Sequence, residues 1–129
     1  MLLFPEPHSD YRAHMHRIIY KICPTDLWQK AVAAGVFDGA PIDHADGFIH
    51  FSTADQVVET AAKHFAGQSD LLLVAVDAEK LGPALKYETS RGGALFPHLY
   101  GPMPLSAVVW ARPLPLDAAG VHEFPVLDR

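Results

Sequence analysis

Leu71 to Val76 is an unbroken run of apolar residues, Leu-Leu-Leu-Val-Ala-Val, and no other feature narrows the fold as much. It is too short for a helix of its own and reads as a strand buried on both faces. Such a strand needs a layer of structure on each side. With 129 residues, 50% hydrophobic and 19% charged, the chain has the material for a single core of this kind. That composition excludes general disorder. With 10 Lys and Arg against 15 Asp and Glu, the net charge of -5 repels phosphate backbones, and no basic patch offsets it.

The other elements are read from periodicity and stop signals. Arg17 to Cys23 alternates, with Ile18, Tyr20 and Ile22 on one face of a strand. Asp26 to Ala34 follows as a helix, with Thr25 as its N-cap, Leu27, Ala31 and Ala34 on one face, and Gly35 as its stop. Trp28 on this helix is a core residue by default and a stacking group in the alternative. A loop carrying Gly39, Pro41 and Gly47 leads to a short central strand, Phe48 to Phe51. Capping-box patterns over Ser52 to Gln56 then start a helix with an apolar face of Val57, Val58, Ala61, Ala62 and Phe65, closed by Gly67.

Ala84 to Thr89 and Ala107 to Arg112 are further strands. Between them, Ser90 to Pro104 reads as a compact loop of glycines and prolines around Leu95, Phe96, Leu99 and Tyr100. The tail is expected to cross the surface, anchored by Val121, Phe124 and Val126. The expected fold is α+β: one domain over residues 17–129, with about five strands in one mixed sheet and two main helices. Residues 1–16, with His8, His14 and His16, form a loose arm, and the apolar start Met1 to Phe4 stops at Pro5, short of a signal or membrane segment. A lone Cys23 makes no internal disulfide and fits a reducing, cytoplasmic setting.

Two clusters carry candidate chemistry. In Gly47-Phe48-Ile49-His50-Phe51-Ser52-Thr53, an imidazole on a buried strand precedes two hydroxyls at a helix start, a junction that suits an anion. The expectation is that this helix turns its amide end toward the principal pocket. The alternative is a satisfied core histidine with Ser52 and Thr53 as simple caps. In the second cluster, Glu88 ends a strand near Arg91, and Phe96-Pro97-His98-Leu99-Tyr100-Gly101-Pro102 follows. A carboxylate, an imidazole and a phenol there can steady a developing cation. The alternative is an ordinary salt bridge from Glu88 to Lys86 or Arg91. Metal chemistry through His44, Asp46, His50 or His98 is the least supported reading, because the spacing forms no recognised ligand set.

Together, Gly47 to Thr53, Gln56, Glu88 and Phe96 to Pro102 resemble the bacterial family known as domain of unknown function 952. The resemblance runs from about Arg17 to about Leu114. It implies an ADP-ribosyltransferase-like fold, a superfamily that binds and splits NAD. His50 would then contact a ribose hydroxyl, Glu88 would steady the ribosyl cation, and Phe96 or Tyr100 would stack on the base. Catalytic roles fall to Glu88 and His50, and substrate binding to Lys21, Ser52, Thr53, Arg91, Phe96, His98 and Tyr100. Relatives often read Tyr-His on the first strand, whereas Tyr20 is followed here by Lys21, a cation able to hold a phosphate. The expected ligand is a small molecule, anionic or a nucleotide, with NAD as substrate and no tightly bound cofactor. Neither nucleic acid nor membrane is an expected partner. A non-catalytic binding module is the competing reading.

Overall fold

The computed structural model describes residues 16–129, with the side chain of Arg91 also outside the description. Apart from His16, the expected arm therefore lies outside the described residues. Among the described residues, nine strands and three α-helices follow one another as β1 (Ile18–Pro24), α1 (Thr25–Ala34), β2 (Val36–Phe37), α2 (Pro41–Asp46), β3 (Ile49–His50), β4 (Ser52–Thr53), α3 (Val57–His64), β5 (Leu71–Asp77), β6 (Leu85–Thr89), β7 (Leu95–Leu99), β8 (Met103–Pro104) and β9 (Val108–Pro113). The fold is α+β. The single mixed sheet is corrected to three antiparallel ones, ordered β4-β1-β5-β9, β3-β7-β6 and β2-β8.

β5 lies between β1 and β9, as its apolar run requires. Its alternate side chains enter two separate cores. Val74 and Val76 pack with Ile19, Cys23, Trp28, Phe37, Ile49, Phe51, Leu99 and Met103. Leu71, Leu73 and Ala75 pack with Tyr20, Ile22, Val57, Ala61 and Leu114. The four-stranded sheet is therefore a middle layer. α1 and the three-stranded sheet cover one face, and α3 with the C-terminal tail covers the other. Trp28 is a core residue, tilted against Phe37 with ring centroids 5.8 Å apart. In the tail Phe124 and Leu127 pack against the second core, while Val121 and Val126 stay exposed, so only one of the three expected anchors is seated.

The two larger sheets are joined through Phe51. β3 pairs with β7, placing Ile49 opposite Leu99 and His50 opposite His98. The next pair makes only one bond, from the Phe51 amide to the Pro97 carbonyl at 3.0 Å, because proline has no N–H to return. Pairing with β7 stops there, and the chain continues as β4 against β1, with Thr53 opposite Ile19. Ser52 and Thr53 are thus buried strand residues, and α3 starts only at Val57. The capping pattern misplaced this helix start because the backbone of Ser52 and Thr53 pairs with β1. Gln56 supplies half of the expected capping box, accepting the Thr53 amide at 3.0 Å and donating to the Leu95 carbonyl at 2.7 Å.

Two segments read as loops contain regular structure. The stretch after Gly35 holds β2 and α2, and Ser90 to Pro104 holds β7 and β8. Thr25 does not cap α1; its hydroxyl donates to the Asp70 carbonyl at 2.9 Å. Gln56 ties α3 to β7, and Gln56→Ala should lower stability by about 1–2 kcal/mol through two lost hydrogen bonds. Urea titration should show a lower midpoint with an unchanged slope, and an unmoved midpoint would show that the tie contributes nothing.

Candidate functional site

Opposite residues of an antiparallel pair lie on one face of a sheet. In the three-stranded sheet His98 faces His50 on one side and Lys86 on the other, and Phe96 faces Glu88. Strand alternation adds Tyr100, two residues beyond His98. His50, Glu88, Phe96, His98 and Tyr100 therefore share one face, away from Ile49 and Leu99, which enter the core. Phe48 completes it. Its ring stacks on His98 at 4.0 Å between centroids and is tilted against His50 at 4.6 Å and Tyr100 at 5.3 Å.

Glu88 does not pair with Lys86. Its Oε1 accepts from the Tyr100 hydroxyl at 2.7 Å and from His98 Nδ1 at 2.8 Å. His98 is buried, while Glu88 and Tyr100 are partly open to solvent. The Tyr100 bond, and then the His98 bond, hold the Glu88 carboxyl below its usual range, and Glu88 in turn raises the Tyr100 phenol. The carboxylate is therefore a fixed anion at neutral pH.

A second network centres on Asp43, which the sequence reading missed. Asp43 lies in α2 and is 2% exposed. It accepts from Lys21 Nζ at 2.9 Å on each carboxylate oxygen, from the Ala40 amide at 2.7 Å, from the His50 amide at 3.1 Å, and from His50 Nδ1 at 2.6 Å. Burial alone would raise this carboxyl. The His50 bond, the Lys21 charge and the Ala40 amide outweigh it and hold the group at about 2. Burial pulls the Lys21 ammonium below the ordinary lysine range, against the Asp43 charge. His50 Nε2 meets Asp46 Oδ2 at 2.9 Å.

The predicted residues are not all together. Lys21 is buried in its ion pair and is not available to hold a phosphate. Ser52 shares a hydrogen bond with Thr60 at 2.9 Å, and Thr53 is buried in β4. Arg91 begins a short turn, and its side chain lies outside the described residues. A cleft of about 350 Å³ adjoins the shared face, lined by Asp38, Asp43, His44, Phe48, Gly101 and Pro102, among others. None of the predicted residues lines it; they meet it through Phe48 and Asp43. The start of α3 is not in its lining, so the expected amide-end anion site is corrected. Its place is taken by the middle of α2. A second cleft, about 400 Å³, is lined by His16, Arg17, Glu79 and Tyr87, among others, and Arg17 is held there by Asp77 at 3.1 Å and Glu79 at 2.9 Å. Among the described residues no three His, Cys, Asp or Glu side chains converge as metal ligands would, and no helix is long and apolar enough to cross a membrane.

The chain is similar to protein CC0527 of Caulobacter crescentus. Its crystal structure is 54% identical, covers 82% of this chain and 93% of that one, and superposes with a TM-score of 0.79. The solution NMR structure of the same protein is 54% identical, covers 81% of this chain and 90% of that one, with a TM-score of 0.74. No curated relative matches. The family model described as protein of unknown function DUF952 matches residues 22–111, a span that holds Asp43 and the whole Phe48, His50, Glu88, His98 and Tyr100 face, and the chain belongs to that family.

Proposed function

We propose that this protein binds an N-ribosylated aromatic base, as in NAD or a related ribonucleotide, and acts at C1 of the ribose. The carrying observation is the Glu88 carboxylate, held by Tyr100 and His98 on a face that also presents His50 and Phe48. Breaking the glycosidic bond sends its electron pair to the base nitrogen and leaves an oxocarbenium-like sugar, which a fixed carboxylate stabilises. Both described bonds to Glu88 fall on Oε1, so Oε2 is the oxygen this reading turns toward C1. Water or another acceptor then adds at C1 and gives up its proton, and this reading assigns Glu88 as the base that takes it. Phe48, Phe96 and Tyr100 are the stacking surfaces for the departing base. An ADP-ribosyltransferase-like ancestry of the fold is part of the same reading.

The buried Lys21–Asp43 pair favours a second reading, a non-catalytic binder, because it commits the Lys21 cation to the core rather than to a ligand. Incubation with NAD and with simple N-ribosides, followed by chromatography of the free base, separates the two. Release at more than about tenfold the uncatalysed rate is expected from an enzyme. Saturable binding without release would establish the binder.

A further inference from the structure

The direction of the His50 ring is set from Asp43. The Asp43 carbonyl accepts the Gly47 amide at 2.8 Å and the Phe48 amide at 3.2 Å, which closes α2 through the left-handed turn at Gly47. The side chain of the same residue takes hold three positions after that turn. Asp43 Oδ1 accepts both the His50 amide at 3.1 Å and His50 Nδ1 at 2.6 Å. One oxygen thus ties backbone and ring together. The carboxylate is braced in turn by Lys21 and the Ala40 amide. Phe48 and His98 flank the ring, with centroids 4.6 and 5.7 Å away. Nε2 is the nitrogen left over, and its partner is the half-exposed Asp46, whose Oδ2 shows that an oxygen fits there at 2.9 Å.

We infer that Asp43 is a positioning residue for His50, locking the ring so that Nε2 is the atom offered to an oxygen of the ligand, with Asp46 as the group the ligand displaces. This rests on the ribosyl reading above and deepens it. Asp43 itself does not reach a ligand, because its side chain is 1% exposed and both oxygens are taken. A sugar hydroxyl suits Nε2, since it can both donate and accept. A ring fixed before the ligand arrives is not ordered at the ligand's expense. Lys21, read from the sequence as a phosphate holder, has its charge committed to bracing this lock.

Asp43→Asn breaks the lock and leaves the main-chain turn in place. An amide has one acceptor oxygen for donors on two sides, so its NH2 must face either Lys21 and Ala40 or His50. Base release from NAD is measured for Asp43→Asn, His50→Ala and the double variant, each at a temperature where it is folded; if NAD binds without release, Kd from calorimetry takes the place of kcat/KM. Either single change should lower kcat/KM or weaken binding by about tenfold or more, the scale of a misoriented group. In the His50→Ala background, Asp43→Asn should add less than about a further twofold. Losses that multiply would show that Asp43 serves the fold alone, overturning the inference and leaving the ribosyl reading standing. The wild-type protein gives a second readout that needs no variant to fold. In long-range 1H–15N spectra the His50 Nδ1 proton should be slow to exchange with water, and NAD should shift Nε2 more than Nδ1. A rapidly exchanging Nδ1 proton, or a shift confined to Nδ1, would also overturn the inference. Neither binding nor release with NAD and simple N-ribosides would overturn the ribosyl reading, and the inference with it.

Discussion

Asp43→Ala should destabilise the protein by about 3–5 kcal/mol, the usual cost of removing one partner of a buried ion pair. That is a large share of the roughly 5–15 kcal/mol that holds a domain folded. Lys21 is 6% exposed, and the hydrogen bonds of its ammonium group among the described residues go to Asp43 alone. Without Asp43 it must lose its proton or draw water into the core. The Ala40 amide and both His50 donors lose their acceptor at the same time. Lys21→Met should cost less, by at least about 1–2 kcal/mol, because Asp43 keeps three of its donors. Urea denaturation of the two variants tests the asymmetry, and equal losses would show that Asp43 is not the hub.

The same residue sets an acid limit. A carboxyl held at about 2 in the folded protein, against an ordinary value near 4, contributes about 2–3 kcal/mol. A lowered folded value places that stability above the unfolded one. It is complete above about pH 4 and is lost as pH falls toward 2. The wild-type protein should therefore lose stability steeply in this window, whereas Asp43→Asn should start lower and fall less. Parallel curves for the two proteins would assign the acid sensitivity to other groups.

The reasons Asp43 escaped the sequence reading are physical. It is seven residues from His50 and 22 from Lys21, so no local motif joins the three. Its helix covers only Pro41–Asp46, less than two turns, and offers no periodicity to detect among Gly39, Pro41 and Gly47. The usable signal was Pro41 at the first helical position with an acid two residues later, a helix-start pattern. The second cluster was more legible. Phe96, His98 and Tyr100 are spaced by two, the strand period, and the structure puts all three on the face of Glu88. Pro97 and the surrounding glycines made that strand read as a loop, although the proline costs β7 only the bond Phe51 would have received. Composition alone revealed the central strand, because Leu71 to Val76 can be covered only by a core on each side.

Glu88→Gln should reduce turnover at ribose C1 by about 10²–10³-fold and leave ligand affinity within about threefold. The amide keeps an acceptor oxygen for the Tyr100 hydroxyl and His98 Nδ1, so the two bonds that hold the side chain in place are retained. The negative charge is lost. An interaction made only as the sugar becomes cationic lowers kcat and kcat/KM together, whereas one made equally with bound substrate raises KM alone. Tyr100→Phe is the companion measurement. It removes the donor that contributes most to holding Glu88 ionised, so the acid limb of the pH–rate profile should move to higher pH while the carboxylate itself remains. A structural role for Glu88 would give another pattern, in which the Gln variant melts several degrees lower and turnover by the folded fraction stays at the wild-type level. In that case the carboxylate holds His98 and Tyr100 rather than a substrate, and the binding reading replaces the catalytic one.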